Sequence, residues 1–249
     1  MSFEYATRAA QGARSYQEDA AAVRADADAL TAVLADGMGG HAGGAVASGL
    51  ASAAFLRAFR DWAAEDVRVR LARSLDSANA AIAARASGSP SLAGMGCTLI
   101  GAAFLPDRLE WISVGDSPLY LVRRGEIRRL NADHSLAPEI DRLAEMGRIS
   151  WDDAKSDPRR HVLRSALTGG EIDLIDRPRE PLALEPGDAV ILASDGIHTL
   201  PEAEIGRLVA GSEAVDAAAE ALLAAVAATE DPHQDNTTVV VVKVAVHPA

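Results

Sequence analysis

Three aspartates lie at the ends of apolar runs, where their side chains could act together in chemistry. Asp36 follows the run 30–35, Asp195 follows the run 189–194, and Asp235 precedes the run 237–243. If these runs are neighbouring strands, the three carboxylates converge at one rim of a sheet. Clustered carboxylates repel one another unless a cation lies among them, and oxygen ligands of this kind suit Mg²⁺ or Mn²⁺. The pattern therefore predicts a metal site.

Two of these aspartates precede a glycine, which leaves a simpler interpretation open. Asp36-Gly37 and Asp195-Gly196 could each be a hairpin turn, because Asp-Gly tolerates the positive φ that such turns need. Each dipeptide taken alone favours the turn. Three acids in matching contexts shift the balance towards the metal site without excluding turns.

An arginine precedes two further carboxylates at the start of a predicted strand. Arg14 stands four and five residues before Glu18 and Asp19. A surface ion pair between them would contribute little to stability. The functional alternative is that the forked guanidinium of Arg14 binds a phosphate while Glu18 or Asp19 orients metal-bound water.

Composition excludes several classes of protein. The chain has 249 residues, 49% of them hydrophobic, a net charge of −12 and a pI near 4.9. A surface this acidic argues against general binding to nucleic acid or anionic membranes. No apolar run approaches the roughly 20 residues that cross a bilayer, and the N-terminus lacks a signal-peptide pattern. We therefore expect a cytoplasmic protein, with its single cysteine, Cys97, as a core residue.

The apolar patterns predict the elements that must position these residues. Strands are expected at 3–8, 19–24, 30–35, 97–105, 108–114, 118–123, 126–130, 171–176, 188–194 and 237–246. Helices are expected after the glycine-rich turn that follows Asp36, through Phe59, and at 66–86, 201–210 and 212–229. The four strands between 97 and 130 read as one antiparallel meander. This order predicts an α+β fold in which helix pairs cover two sheets.

Taken together, the polar segments resemble the PP2C (PPM) family of metal-dependent protein serine/threonine phosphatases, in its bacterial form. Eight segments stand in the family's order: 12–14 with 18–19, 36–41 with 43–48, 96–98, 114–117, 133–135, 160–167, 192–196 and 235–238. Any one of them is a weak signature. The resemblance covers nearly all of the chain, so chance agreement is implausible.

The resemblance implies a fold and a set of partners. The fold would be a four-layer αββα sandwich, two antiparallel sheets flanked by helix pairs, as a single domain over 1–249. A flap subdomain would occupy about 138–168, beside the metals. The substrates would be phosphorylated proteins, and the protein would reverse the action of a cognate Ser/Thr protein kinase. We expect a monomer that binds neither nucleic acid nor a membrane.

The resemblance also assigns residues to two Mg²⁺ or Mn²⁺ ions and a third, weaker one. It implies that Asp36 bridges the two core ions, that the Gly37 carbonyl binds one of them, and that Asp195 and Asp235 complete the other. Glu18 would bind through water, and Asp19 and Asn236 would support the ligands. Asp116 would hold the third ion together with Asp195. Two ions about 4 Å apart can share one water and lower its pKa towards neutrality. Arg14 would hold the phosphoryl oxygens and, with Asp36, form the catalytic pair.

Two positions depart from the family pattern. Met38, as in many bacterial relatives, stands where eukaryotic members carry a histidine proposed to protonate the leaving alcohol, so the general acid is unassigned. His41 is more readily interpreted as a helix-entry or packing residue. Pro118 replaces an arginine, which alters the entry to a strand. The arginines of the flap could recruit substrate or could be solvated surface charge: Arg142, Arg148, Arg159 and Arg160.

Two other functions remain open from the sequence alone. A catalytically silent phosphoprotein-binding module would be expected to lack one or more of the acids, and this chain keeps them all. A phosphatase of the related stage-II sporulation branch, acting on anti-anti-sigma factors, would share the acids and differ in substrate.

Overall fold

Two five-stranded antiparallel sheets pack face to face in the computed structural model, which describes residues 2–26, 29–39 and 42–245. The strands are β1 (Phe3–Ala10), β2 (Ala20–Ala25), β3 (Leu30–Ala35), β4 (Gly37–Met38), β5 (Gly96–Cys97), β6 (Leu99–Leu105), β7 (Arg108–Val114), β8 (Leu119–Arg123), β9 (Glu126–Arg129), β10 (Leu182–Ala183), β11 (Ala189–Ala193) and β12 (Thr237–Val244). The helices are α1 (Ala42–Asp61), α2 (Val67–Ser87), α3 (Ala137–Glu145), α4 (Trp151–Ser156), α5 (Glu202–Ala210) and α6 (Val215–Ala228).

The strand order explains why the central strands are continuous apolar runs. One sheet has the order β1-β12-β11-β8-β9 and the other β10-β7-β6-β3-β2, while β4 and β5 form a separate two-stranded pair. All six residues of β3 and all five of β11 are buried. Strands covered on both faces lose the alternation of polar and apolar residues, because neither face meets water.

Three apolar layers fill the spaces between the elements. Leu34, Phe104 and Val240 belong to the layer between the two sheets. The helices α1 and α2 pack on the sheet that contains β3, and α5 and α6 pack on the other sheet. At Gly101 the ring of Phe55 lies so close to the strand that a Cβ would overlap it. The predicted αββα sandwich is confirmed.

The predicted meander between 97 and 130 is wrong. Strands β6 and β7 pair in one sheet, whereas β8 and β9 pair in the other. The chain crosses between the sheets at residues 115–118, where Gly115 adopts a φ of 103°. Asn131 supports the crossing, since its amide accepts from Leu119 N at 2.8 Å and donates to Ser117 O at 2.9 Å. Apolar alternation reports which side chains are buried, and it does not identify the partner strand.

The strand predicted at 171–176 is also wrong. This segment makes only an isolated bridge between Asp176 and Ser113. Glu171, Asp173 and Ile175 are exposed, so no sheet covers the alternating positions. Position 246 of the last predicted strand lies outside the described residues, and β12 ends at Val244.

The residues predicted as a flap fold into short helices with a small core of their own. Ile140 and Ala144 of α3 pack with Ala154 of α4. Arg160 fixes the 3₁₀ helix Pro158–His161 to these helices, since its guanidinium pairs with Asp141 at 2.5 Å and donates to Ala154 O at 3.1 Å. In the described part of the chain, no helix is both long enough and apolar enough to span a membrane.

Candidate metal centre

A cleft of about 1060 Å³ opens at one end of the sandwich and collects most of the acids singled out in the sequence. Its lining carries eight carboxylates and two arginines, a net charge of −6 with neutral histidines. The carboxylates are Glu18, Asp36, Asp116, Glu171, Asp173, Asp195, Asp231 and Asp235. Such a density of negative charge is unfavourable unless the charge is reduced by protonation or offset by bound cations.

The acids meet across the two sheets, and not along the rim of one sheet as the sequence suggested. Asp36 follows β3, which lies in one sheet, whereas Asp195 follows β11 and Asp235 precedes β12 in the other. Strands β11 and β12 are antiparallel neighbours, so the end of one and the start of the next share an edge. All three acids line the same cleft, although they reach it from two sheets.

Asp36 is held by a pair of backbone contacts with Thr98. Asp36 N donates to Thr98 Oγ1 at 3.1 Å, and Thr98 N donates to Asp36 O at 2.8 Å. The next residue, Gly37, begins β4 and lines the cleft. A Cβ at Gly37 would overlap the backbone carbonyls of Glu18 and Gly44. Only glycine allows these three backbone segments to meet beside the cleft.

Asn236 ties the loop that carries Arg14 and Glu18 to the start of β12. Its buried amide donates to Gln11 O at 2.8 Å and to Tyr16 O at 2.9 Å, and accepts from Glu18 N at 2.8 Å. Every hydrogen-bonding function of the side chain except one lone pair is thereby used. Glu18 is therefore positioned from a residue 218 places away in the sequence.

The buried side-chain amide of Gln234, which the sequence analysis did not identify, links the backbone next to Asp195 with that of Asp235. Gln234 Nε2 donates to Gly196 O at 2.9 Å and to Asp235 O at 3.1 Å. Its Oε1 accepts from Thr199 Oγ1 at 2.6 Å. These bonds join the 3₁₀ helix that begins at Asp195 to residues 234–235, shortly before β12.

Burial and mutual repulsion raise the pKa values of the clustered acids. Burial, followed by the charge of Asp195, holds the pKa of Asp36 well above its usual range. Burial and Asp235 raise the pKa of Asp195. Burial raises the pKa of Asp19 to about 6 and that of Asp116 to about 7, and Asp195 adds to both effects. A divalent cation would reverse this preference by stabilising the charged forms.

The residues present fit a divalent cation that takes oxygen ligands. Glu18 Oε1 and Asp19 Oδ1 are buried atoms without a hydrogen-bond partner, and buried oxygens of that kind favour a cation. Among the described residues, no three acidic, histidine or cysteine side chains already stand in a metal-binding arrangement. Instead the guanidinium of Arg14 pairs with Asp235, which places a positive charge in the cluster.

Replacing Asn236 with alanine is expected to weaken the site by releasing the 11–18 loop. The loss of three hydrogen bonds should cost about 2–3 kcal/mol of unfolding free energy, and affinity for Mn²⁺ should fall about 10–100-fold. Urea unfolding and calorimetric titration with Mn²⁺ measure the two effects. The control is Asn79→Ala, since Asn79 anchors Gly169 and Gly170. Equal Mn²⁺ affinity in the two variants would contradict the positioning role.

Several exposed cleft residues were given no role by the sequence analysis, although His161 and Arg164 lie in the segment 160–167 that contributes to the family resemblance. His161, His198, His233 and Arg164 line the cleft from loops and short turns whose positions depend on the whole fold. Arg164 pairs with Glu139 of α3 at 2.8 Å. Met38 lines the cleft as well, whereas His41 lies outside the described residues.

Two of the four flap arginines are engaged within their own segment. Arg159 pairs with Asp157 at 2.6 Å, and Arg160 pairs with Asp141. Arg142 and Arg148 are exposed and make no ion pair with any described residue. Substrate recruitment by these arginines stays a prediction.

Comparison with known proteins identifies relatives along almost the whole chain. The sequence model of the family Protein phosphatase 2C matches residues 8–237. The Serine/threonine protein phosphatase PstP of Mycobacterium tuberculosis is 39% identical over 194 residues, which are 78% of this chain and 36% of PstP. This chain therefore spans about a third of that relative. The Serine/threonine phosphatase stp of Listeria innocua is 31% identical over 236 residues, 92% of this chain and 91% of that protein.

Solved structures share the fold. The crystal structure of the Mycobacterium tuberculosis phosphatase PstP/Ppp superposes with a TM-score of 0.82 at 34% identity, covering 98% of this chain and 99% of that one. The catalytic domain of PstP in complex with two manganese ions gives a TM-score of 0.80 at 34% identity, with the same coverage of both chains.

Proposed function

Because the chain belongs to the protein phosphatase 2C family, we propose that it is a metal-dependent hydrolase of phosphoserine and phosphothreonine in proteins. The observation that carries this proposal is the convergence of Asp36, Asp195 and Asp235 on one cleft from two different sheets. The related PstP catalytic domain was crystallised with two manganese ions. A silent binding module is disfavoured, since every acid of the predicted set is present and lines or borders the cleft.

The proposed centre holds Mg²⁺ or Mn²⁺ through the oxygens gathered in the cleft. Two core ions would be bound by Asp36, the Gly37 carbonyl, Asp195 and Asp235, with Glu18 acting through water. Asp19 and Asn236 would support these ligands, and Asp116 with Asp195 would hold a third, weaker ion. The bound ions would supply an activated water as the nucleophile towards phosphorus.

Arg14 would bind the phosphoryl group of the substrate in the proposed site. Its side chain is 55% exposed at the cleft, and its present partner is Asp235, a proposed ligand. A metal ion bound at this carboxylate would offset its charge and weaken its attraction for the guanidinium. We infer that in the loaded protein the fork of Arg14 turns to two phosphoryl oxygens, which it can bind in a bidentate manner.

The proposed physiological setting follows the named relatives. They are serine/threonine phosphatases of bacteria, and we propose that this chain likewise acts on cytoplasmic phosphoproteins, as a monomer, opposite a Ser/Thr protein kinase. The net charge of −12 argues against nucleic acid or an anionic membrane as a partner.

The direct test is release of phosphate from peptides in the presence of Mn²⁺. Phosphothreonine and phosphoserine peptides should be hydrolysed at least about tenfold faster, in kcat/KM, than a phosphotyrosine peptide of the same sequence. An anti-anti-sigma phosphoprotein in the same panel tests the sporulation-type alternative. Absence of turnover on every phosphopeptide would refute the proposed function, and a preference for phosphotyrosine would refute the substrate class.

A further inference from the structure

A second groove, which shares no residue with the metal cleft, carries the opposite charge. This arginine groove, of about 370 Å³, is lined by Arg68, Trp111, Ile112, Arg177, Pro178 and Arg179. It lies between the start of α2, the middle of β7 and the irregular segment 177–179. Strand β7 runs from the groove towards Asp116 in the metal cleft, so the two sites are joined by one rigid element.

The groove is held in shape by a buried carboxylate at its base. The Glu110 side chain is only 4% exposed, and it accepts from Arg68 Nε at 2.8 Å and from Arg108 Nε at 3.3 Å. Arg68 also donates to Arg179 O at 3.1 Å, which fixes the segment 177–179 against α2. A buried carboxylate requires such partners, so this network makes the groove largely preformed.

Two guanidinium groups at the rim have no partner among the described residues. The side chains of Arg177 and Arg179 are exposed and make neither a hydrogen bond nor an ion pair within the described part of the chain. Three arginines and one glutamate give the lining a net charge of +2, in a protein of net charge −12. This local sign is the reverse of the −6 at the metal cleft.

We propose that the arginine groove binds an acidic segment of the phosphoprotein substrate, at a distance from the cleft in which the phosphate is hydrolysed. Planar guanidinium forks match carboxylates in geometry and charge. Pro178, which is partly exposed, offers apolar surface for the stems of such side chains. The groove would hold the acidic segment while the metal cleft holds the phosphorylated residue, so the two sites would bind different parts of one substrate.

This inference rests on the proposed function and adds a prediction about kinetics. Binding at the groove raises the effective concentration of the phosphorylated residue near the cleft without touching the reacting atoms. It should therefore lower KM for substrates with an acidic segment and leave kcat unchanged.

The binding test uses a fluorescein-labelled peptide of alternating glutamate and serine, in EDTA, with fluorescence anisotropy as the readout. EDTA removes any metal-dependent contribution from the cleft. The double variant Arg177→Glu/Arg179→Glu should bind at least about tenfold more weakly at low ionic strength, with the difference shrinking in salt. Circular dichroism and thermal melting should match the parent, because both side chains are exposed and unpaired.

The control double variant Arg57→Glu/Arg128→Glu changes the net charge equally at exposed positions outside both sites. It should retain the parent affinity within about twofold. Equal losses in the two double variants would mean that only overall charge matters, and this would overturn the site. Unchanged binding in Arg177→Glu/Arg179→Glu would overturn it as well.

A kinetic test connects the groove to turnover. A phosphothreonine peptide joined by a flexible linker to the acidic sequence should show a KM at least about fivefold below that of the peptide without it. The groove variant should lose this advantage and keep the parent kcat for p-nitrophenyl phosphate. If no phosphate ester is hydrolysed, the proposed function fails while the anisotropy result stands. If hydrolysis occurs without the KM advantage, the groove proposal fails alone.

Discussion

Asp36→Asn is expected to lower kcat/KM for p-nitrophenyl phosphate by at least about 10³-fold, or about 4 kcal/mol of transition-state stabilisation. The substitution keeps the volume of the side chain and removes the charge that is proposed to bridge two metal ions. The backbone bonds between Asp36 and Thr98 remain available, so the fold should be preserved. Steady-state kinetics in saturating Mn²⁺ measure the effect.

The same variant should melt at a higher temperature than the parent when both are metal-free. Burial and the neighbouring Asp195 disfavour a charge on Asp36, which is why its pKa is raised. A neutral amide removes that penalty. The control is Asp173→Asn, an exposed acid of the cleft outside the proposed ligands, which should keep turnover within about twofold. Parent-like turnover in Asp36→Asn would refute the metal assignment.

Removal of divalent ions is expected to abolish hydrolysis and to lower the stability of the protein. A ligand at about 100 times its Kd stabilises the native state by about 2.7 kcal/mol, which for a chain of this size raises Tm by about 5–10 °C. Melting curves in EDTA and in Mn²⁺ measure the shift, and phosphate release is followed in the same buffers.

Asp36→Asn serves as the reference for that experiment, because most of the Tm difference between EDTA and Mn²⁺ should vanish in it. A shift of equal size in parent and variant would indicate ions bound elsewhere on this acidic surface. Turnover that persists in EDTA would contradict the metal centre outright, whatever the melting curves show.

Much of the fold could be predicted because burial leaves a direct trace in sequence. The run of β11 is apolar throughout and those of β3 and β12 are mostly so, since both faces of each strand are covered. The division of four strands between two sheets left no such trace. It depends on the crossing at 115–118 and on Asn131, which acts between backbone groups 12 and 14 residues away.

The residues of the site likewise include some that could be predicted from the sequence and others that could not. Asp36, Asp195 and Asp235 could be selected because acids at strand ends are conspicuous beside apolar runs. Gln234 could not, since its bonds join segments 35 and 38 residues apart and nothing local distinguishes it from a surface glutamine. The pairing of Arg14 with Asp235 spans 221 residues, and only the assembled sandwich brings the two together.

The origin of the acids on opposite sheets has a consequence for how substitutions far from the cleft should act. Any sliding of one sheet over the other alters the spacing between Asp36 on one side and Asp195 with Asp235 on the other. The side chains between the sheets, such as Phe104 and Val240, thus help to determine the distance between the two halves of the proposed metal centre. Substitutions in that interior layer should therefore impair catalysis before they prevent folding.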